Sequence, residues 1–182
     1  MSLLFEPLRL RDLTLRNRIV VSPMSQYAAV DGLPTDWHLP HLARFALGGA
    51  GLVFTEATAV EQRGRRTHGD LGLWNDAQIE PLRRIAMAIQ GLGAKAGVQL
   101  GHAGRKASER RPWHGESPLD DEDTTARGEP PWPALAPSPL PYRNGWPTPA
   151  EMDEAAMRMV ADAFGHAARR AEQAGFDAIE LS

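Results

Sequence analysis

The feature that most constrains this chain is an alternation in which short strand-like runs are separated by stretches that read as helices. Arg18 to Ser22 reads as a buried strand stopped by Pro23, which has no N–H to give a ladder. After a loop holding Asp31-Gly32 and Pro34, Thr35 or Asp36 is expected to cap a helix running through Trp37, His41, Arg44 and Phe45 to Gly48-Gly49. Gly51 to Thr58 reads as a second buried strand. Asn75 or Asp76 then caps a helix that sets Ile79, Leu82, Ile85, Ala86 and Ile89 on one face and stops at Gly91 or Gly93. Lys95 to Gly101 is the third strand. Thr148 is expected to cap a last long helix with the stripe Met152, Ala156, Met159, Val160, Ala163, Phe164, Ala167 and Ala171. Gly175 ends that helix, and Phe176 to Leu181 begins a fourth strand.

Strand–helix repeats of this kind build an α/β fold around a parallel sheet. An open doubly wound sheet and a closed (β/α)8 TIM barrel share the order. No Gly-x-Gly-x-x-Gly turn follows the first strand, which argues against the dinucleotide-binding sheet. A short β-hairpin is expected ahead of the repeats, with Leu8 and Leu10 facing Leu13 and Leu15 across an Arg11-Asp12 turn. From about 103 to 149 the chain is rich in Pro, Trp, Gly and Asp without a sustained period. It reads as a structureless, lid-like loop over a barrel mouth. Four βα units make half of an eight-fold barrel, and the sequence stops at Ser182 with no helix to cover its last strand. The expectation is therefore a truncated barrel, with residues 1–182 forming the N-terminal half of one domain.

Composition removes several classes of function. With no cysteine among 182 residues, the chain itself supplies no disulfide, thiolate metal site or cysteine nucleophile. Net charge is −3 and the arginine clusters are short, so a nucleic-acid partner is not expected. No apolar run approaches the roughly 20 residues that span a bilayer, and the first ten residues lack the apolar core of a signal peptide. A soluble cytoplasmic protein with no membrane partner is the expectation.

Barrel enzymes keep their chemistry at the C-terminal ends of strands. Here those positions carry Ser22 to Tyr27, Thr55 to Ala59, and Gln99 to Lys106. Met24 has two readings, core filling and ligand contact, and its strand-end position points to the second. Gln99, if buried in the barrel, would be an unsatisfied amide unless a ligand met it. His38, His41 and His102 have no partner at a ligand spacing such as His-Glu-x-x-His, so hydrogen-bonding roles are expected and no metal. Arg105 and Lys106 are either solvated or set against an anion.

The segments Asn17 to Met24, Trp37-His38 ahead of Gly49 to Val53, Glu56-Ala-Thr-Ala-Val60, Gly64-Arg65, Leu73-Trp74, Gln99 to Lys106 and Ala174 to Glu180 together resemble the Old Yellow Enzyme family of FMN-dependent ene-reductases. Arg111-Pro-Trp113 is similar to its bacterial xenobiotic-reductase branch. The resemblance implies FMN as cofactor, NADPH or NADH as reductant, and a small-molecule activated alkene as substrate. It also implies a homo-oligomer. Ser22, Pro23 and Met24 would line the flavin, Ser25 would stand where the branch often carries a cysteine that tunes the flavin, Ala57 would meet the ring edge, and Gln99 would pair with its pyrimidine part. Tyr27 would reach the substrate pocket as a catalytic residue. The family's substrate-clamping His pair, a further Tyr and the phosphate-gripping loops would follow Glu180, where this sequence has Leu181-Ser182. The chain by itself is accordingly expected to hold FMN weakly and not to turn over. Two rivals stand beside this reading: a non-catalytic phosphate- or flavin-binding half-barrel, and a dienoyl-CoA or amine-type flavin oxidoreductase.

Overall fold

The structure, a computed structural model, describes residues 2–182. Its framework is a row of parallel strands, β3 (Val20–Val21), β4 (Leu52–Ala59), β6 (Lys95–Gly101) and β9 (Ala178–Leu181), in that order. A short strand β5 (Leu71–Gly72) pairs with the upper part of β4, Thr58 against Leu71. Ahead of the sheet, β1 (Leu8–Leu10) and β2 (Leu13–Leu15) form the expected antiparallel hairpin, with Arg11 in its turn at φ 55°. Helices α1 (His38–Leu47), α2 (Ile79–Gly91) and α4 (Glu154–Gln173) cover one face of the sheet.

Side-chain alternation divides the sheet into two unlike faces. Ala96, Val98 and Leu100 of β6 point to the helices and join Leu42, Leu82, Ile85, Ile89, Ala167 and Ala171 in one core. Burying such a layer is what holds an amphipathic helix on a sheet. On the other face, Phe54 lies over Gly97 so closely that an added Cβ would fall 2.5 Å from the ring. That aromatic ring floors the concave side. Above it the residues are small or half-exposed: Ala57, Gln99 and Gly101. The register slips between Phe54 and Ala57, where β4 spends three residues against two of β6.

The two ends of the row remain edges. Ile179 and Leu181 on β9 are 41% and 69% exposed although their register partners Val98 and Leu100 are fully buried. The arrangement is half of an eight-stranded barrel, as the alternation leads one to expect.

Four local expectations need correction. The first strand is shorter than Arg18 to Ser22, because the Asn17 side chain takes the Ile19 N–H (3.1 Å) and Pro23 donates nothing. Neither Thr35 nor Asp36 caps α1 with its side chain; instead the Thr35 N–H donates to the His38 ring, 2.9 Å. The last helix starts at Glu154, capped by the Asp153 carboxylate on the Ala156 N–H (2.7 Å), since residues 150–151 are used as strand β8 (Ala150–Glu151). Met152 therefore precedes the helix and Met159 is 55% exposed. Finally, the stretch from 103 to 149 is not structureless. It contains helix α3 (Asp121–Arg127) and strand β7 (Leu135–Ala136), which pairs with β8. Arg110 and Arg127 both clasp the fully buried Asp123, and Glu109 pairs with Arg66. Ionic ties of this sort leave no hydrophobic period to read.

Asp177 fastens the base of β9. Its carboxylate accepts from the Ala96 N–H (2.9 Å), the Gln90 amide (2.9 Å) and Lys95 (3.2 Å). Burial alone would raise its pKa, but these donors outweigh burial and hold it below the ordinary value of 3.8. A depressed folded-state pKa contributes stability that is present above the unfolded value and lost as pH falls through the folded one. Thermal unfolding followed from neutrality to strong acid is expected to show a loss of stability setting in below about pH 4, and Asp177→Asn is expected to flatten that slope. An unchanged slope would detach this carboxylate from acid stability.

Candidate functional site

The strand ends converge on one rim. Ala57 of β4, Gln99 of β6 and Glu180 of β9 are register partners, so their side chains stand in one row on the concave face. The Gln99 amide donates to Glu180 at 2.7 Å. Gln99 is half-exposed, not the orphaned buried amide that the sequence suggested, because β9 brings a carboxylate alongside it. Its oxygen and second N–H remain uncommitted among the bonds of the described residues. That amide still offers an acceptor and a donor side by side.

Beside this row lies a cleft of about 200 Å³ lined by Ser25, Ala57, Gly64, Arg66, Asp70 and Lys106, among others. Of the residues assigned to the flavin and substrate from sequence, Ser25 and Ala57 line it directly, and His102 and Lys106 line it as well. Ser22, Met24 and Ser25 lie on an exposed stretch after β3, with Pro23 half-buried between them. Met24 is 40% exposed and so is no core filler. Tyr27 sits deeper in the same loop at φ 55°, edge-on to Trp113 with ring centres 5.7 Å apart. Gln99 and Tyr27 are not on the cleft's own lining.

The electrostatics near Tyr27 are mixed. Burial pushes its phenol upward, while Arg66 and the Ser25 hydroxyl pull the other way. Burial also raises the Asp70 carboxyl, although the Thr67 hydroxyl (2.7 Å) and the Arg66 N–H (2.7 Å) both donate to it. Glu109 raises the guanidinium of Arg66 further. A phenol lifted in this way stays protonated and available as a donor at neutral pH.

His38, His41 and His102 each have a bonding partner, as the sequence suggested. His38 Nε2 lies 3.0 Å from Glu56, with both side chains buried. His41 stacks on Trp37, and burial lowers its pKa, helped by Arg44. His102 pairs with Glu61 at 2.8 Å. Burial alone would raise Glu61, yet bonds from Arg63 and His102 hold it low. Arg105 bonds Ser138 and the Leu140 carbonyl, whereas Lys106 lies over the Tyr142 ring and also lines the cleft.

Sequence reasoning missed Glu56 and Gln26 as elements of the site. Glu56 Oε2 accepts the backbone N–H of Gln26 at 2.8 Å, and Gln26 in turn receives the Trp37 indole N–H (3.0 Å) and donates to the Met24 carbonyl (2.8 Å). The usable signal was a glutamate inside an otherwise buried strand, which must find donors.

A parallel half-barrel with small residues and one amide at its strand tips defines the class. Residues 3–182 match the NADH:flavin oxidoreductase / NADH oxidase family, and the chain belongs to it. Among curated proteins it is 43% identical over 183 residues to an NADPH dehydrogenase of Listeria monocytogenes serotype 4a, covering 100% of this chain and 48% of that protein. The chain thus spans about half the length of the curated relatives it matches. Among solved structures, morphinone reductase superposes with a TM-score of 0.80 at 25% identity, over 98% of this chain and 47% of the other. Histamine dehydrogenase from Rhizobium sp. 4-9 superposes at 0.75 with 29% identity, over 98% of this chain and 25% of the other. None of the helices described is long and apolar enough to cross a membrane.

Proposed function

We propose that this chain supplies the ring-facing half of an FMN-dependent oxidoreductase that takes hydride from NADPH or NADH and reduces activated C=C bonds, as in enones and nitroalkenes. The observation that carries the reading is the Ala57–Gln99 row. It leaves a shelf of small side chains above Phe54, edged by a free amide face, with the exposed Ser22–Met24 stretch following the neighbouring strand β3. A flat heterocycle with alternating N–H and C=O groups fits such a shelf, because Gln99 matches that edge and Ala57 adds no bulk.

Bound FMN would supply acceptance of hydride from the nicotinamide and its delivery to the alkene β-carbon. Gln99 would fix the ring's orientation through its amide. Met24 would cover an apolar face, and Ser25 would sit beside the ring where a hydroxyl is less polarizable than a thiol, which alters redox poise more than binding. Tyr27, kept protonated by burial, would donate a hydrogen bond toward the substrate. The proposal takes the domain as one flavin barrel of which residues 1–182 are the first half, with the 103–149 excursion beside the mouth. A cytoplasmic, homo-oligomeric protein is part of the same reading.

The curated relatives favour this over an amine-type oxidoreductase, since the Listeria protein of 43% identity is an NADPH dehydrogenase. A protein carrying the whole barrel of which this chain is the first half, purified gently, is expected to be yellow and to consume NADPH or NADH with cyclohexenone. A colourless preparation that binds no added FMN would overturn the proposal. Gln99→Ala is expected to weaken FMN binding about tenfold, the usual loss when a buried or half-buried partner disappears. Fluorescence titration of FMN measures it, and an unchanged affinity would remove Gln99 from the site.

A further inference from the structure

Resting on the flavin reading above, we propose that Glu56 is a positioning residue: its carboxylate, fixed by His38, holds the backbone of the Ser25–Tyr27 turn at the edge of the cleft.

The geometry determines the proton arrangement. The Thr35 N–H lies 2.9 Å from His38 Nδ1, and a backbone N–H only donates, so Nδ1 is an acceptor. A neutral imidazole that accepts at Nδ1 carries its proton on Nε2. That Nε2–H points at Glu56 Oε1, 3.0 Å away. The other oxygen of Glu56 receives the Gln26 N–H at 2.8 Å. A directed chain therefore runs from the start of α1, through the ring and the carboxylate, to one amide between Ser25 and Tyr27.

Burial makes this chain exacting. His38 is 1% exposed and Glu56 3%. A carboxylate taken from water is costly unless its lone pairs are met, and here both oxygens are. The segment it grips also needs gripping. Tyr27 is a non-glycine residue in the left-handed region, which costs of order 1–3 kcal/mol and persists only where neighbours enforce it. Ser25, one residue before Gln26, lines the cleft. A polar cluster that merely tied α1 to β4 would need only the His38–Glu56 contact. The bond to Gln26 reaches past that contact to the site.

Two substitutions separate the readings. In Glu56→Gln the amide has one acceptor oxygen where two donors point, so whichever way it turns, a donor faces a donor. In His38→Gln the new amide carries an acceptor and a donor side by side, as the neutral ring does, and the relay survives. In the purified protein, nitrogen NMR of His38 is expected to find Nε2 protonated and Nδ1 bare. In Glu56→Gln, hydrogen exchange at the Gln26 amide is expected to quicken about tenfold and FMN binding to weaken by a similar factor, while amides of β6 keep their protection. His38→Gln is expected to stay within about twofold of the parent protein in both measurements.

A proton found on Nδ1, a Gln26 amide that ignores Glu56→Gln, or equal loss of protection throughout β4 and β6 would each overturn the proposal. If Glu56→Gln does not fold, the ring tautomer and His38→Gln decide it. If the parent protein binds no FMN but the Gln26 amide responds, the flavin reading falls and the hold on the turn stands.

Discussion

Asp123→Ala is expected to loosen the 103–149 excursion while the parallel sheet stays folded. Asp123 is fully buried and receives Arg110 through Nε (2.8 and 2.9 Å), Arg127 from one turn further on, and the Asp120 N–H (2.9 Å). Arg110 also reaches Ser117 and Asp120. Removing the carboxylate leaves two guanidinium groups, 19% and 28% exposed, without their shared partner. Breaking a buried pair from one side costs about 3–5 kcal/mol. The loss should be local, because the Asp123 clasp lies within the excursion, whose ties to the rest of the chain run through other residues such as Glu109 with Arg66 and Trp132 with the Arg63 carbonyl. Hydrogen exchange should show faster exchange between Ser108 and Ala136 and little change in β4 or β6. Uniform protection in the variant would show that the ionic clasp does not hold the excursion together.

Gly69→Ala is expected to strike the site itself. A Cβ at Gly69 would lie 2.3 Å from the Tyr27 carbonyl oxygen, 2.6 Å from its carbonyl carbon and 2.6 Å from Arg111 Nε. Two of these are backbone atoms, so no rotamer change relieves them. The Gly69 carbonyl also accepts the Ala29 N–H at 2.9 Å, which keeps the Tyr27 loop pressed on it. Overpacking of this kind costs about 2–3 kcal/mol. Lower thermal stability should come with weaker FMN affinity and a disturbed Tyr27–Trp113 contact. A variant that loses stability and keeps its flavin affinity would separate Tyr27 from the binding surface.

What was legible in the sequence was what periodicity reports. Leu82, Ile85, Ala86 and Ile89 recur at helical spacing and are buried against β6, and Lys95 to Gly101 is bounded as read from the sequence. Gly175, at φ 83°, ends α4 as expected. The excursion was illegible because Arg110, Asp123 and Arg127 hold it by charge, and charge has no period. The start of α1 was misread because its usual capping residue yields to a ring nitrogen of His38. Within the site, the residue types at the strand tips were readable, but not the company they keep. Gln99 meets Glu180 only once β9 is laid beside β6, and Glu56 meets Gln26 across 30 residues of chain.

The slip in β4 has a consequence for the chemistry of the shelf. Counting evenly from Phe54 opposite Gly97, Glu56 would face Gln99 and turn its charge toward the concave side, with Ala57 hidden behind. One additional residue reverses odd and even along the strand from that point on. The acid is thereby delivered to the helices, where His38 and Gln26 meet it, and a methyl group is delivered to the opening. The slip thus sets a methyl group, and not the Glu56 carboxylate, beside Gln99 on the concave face.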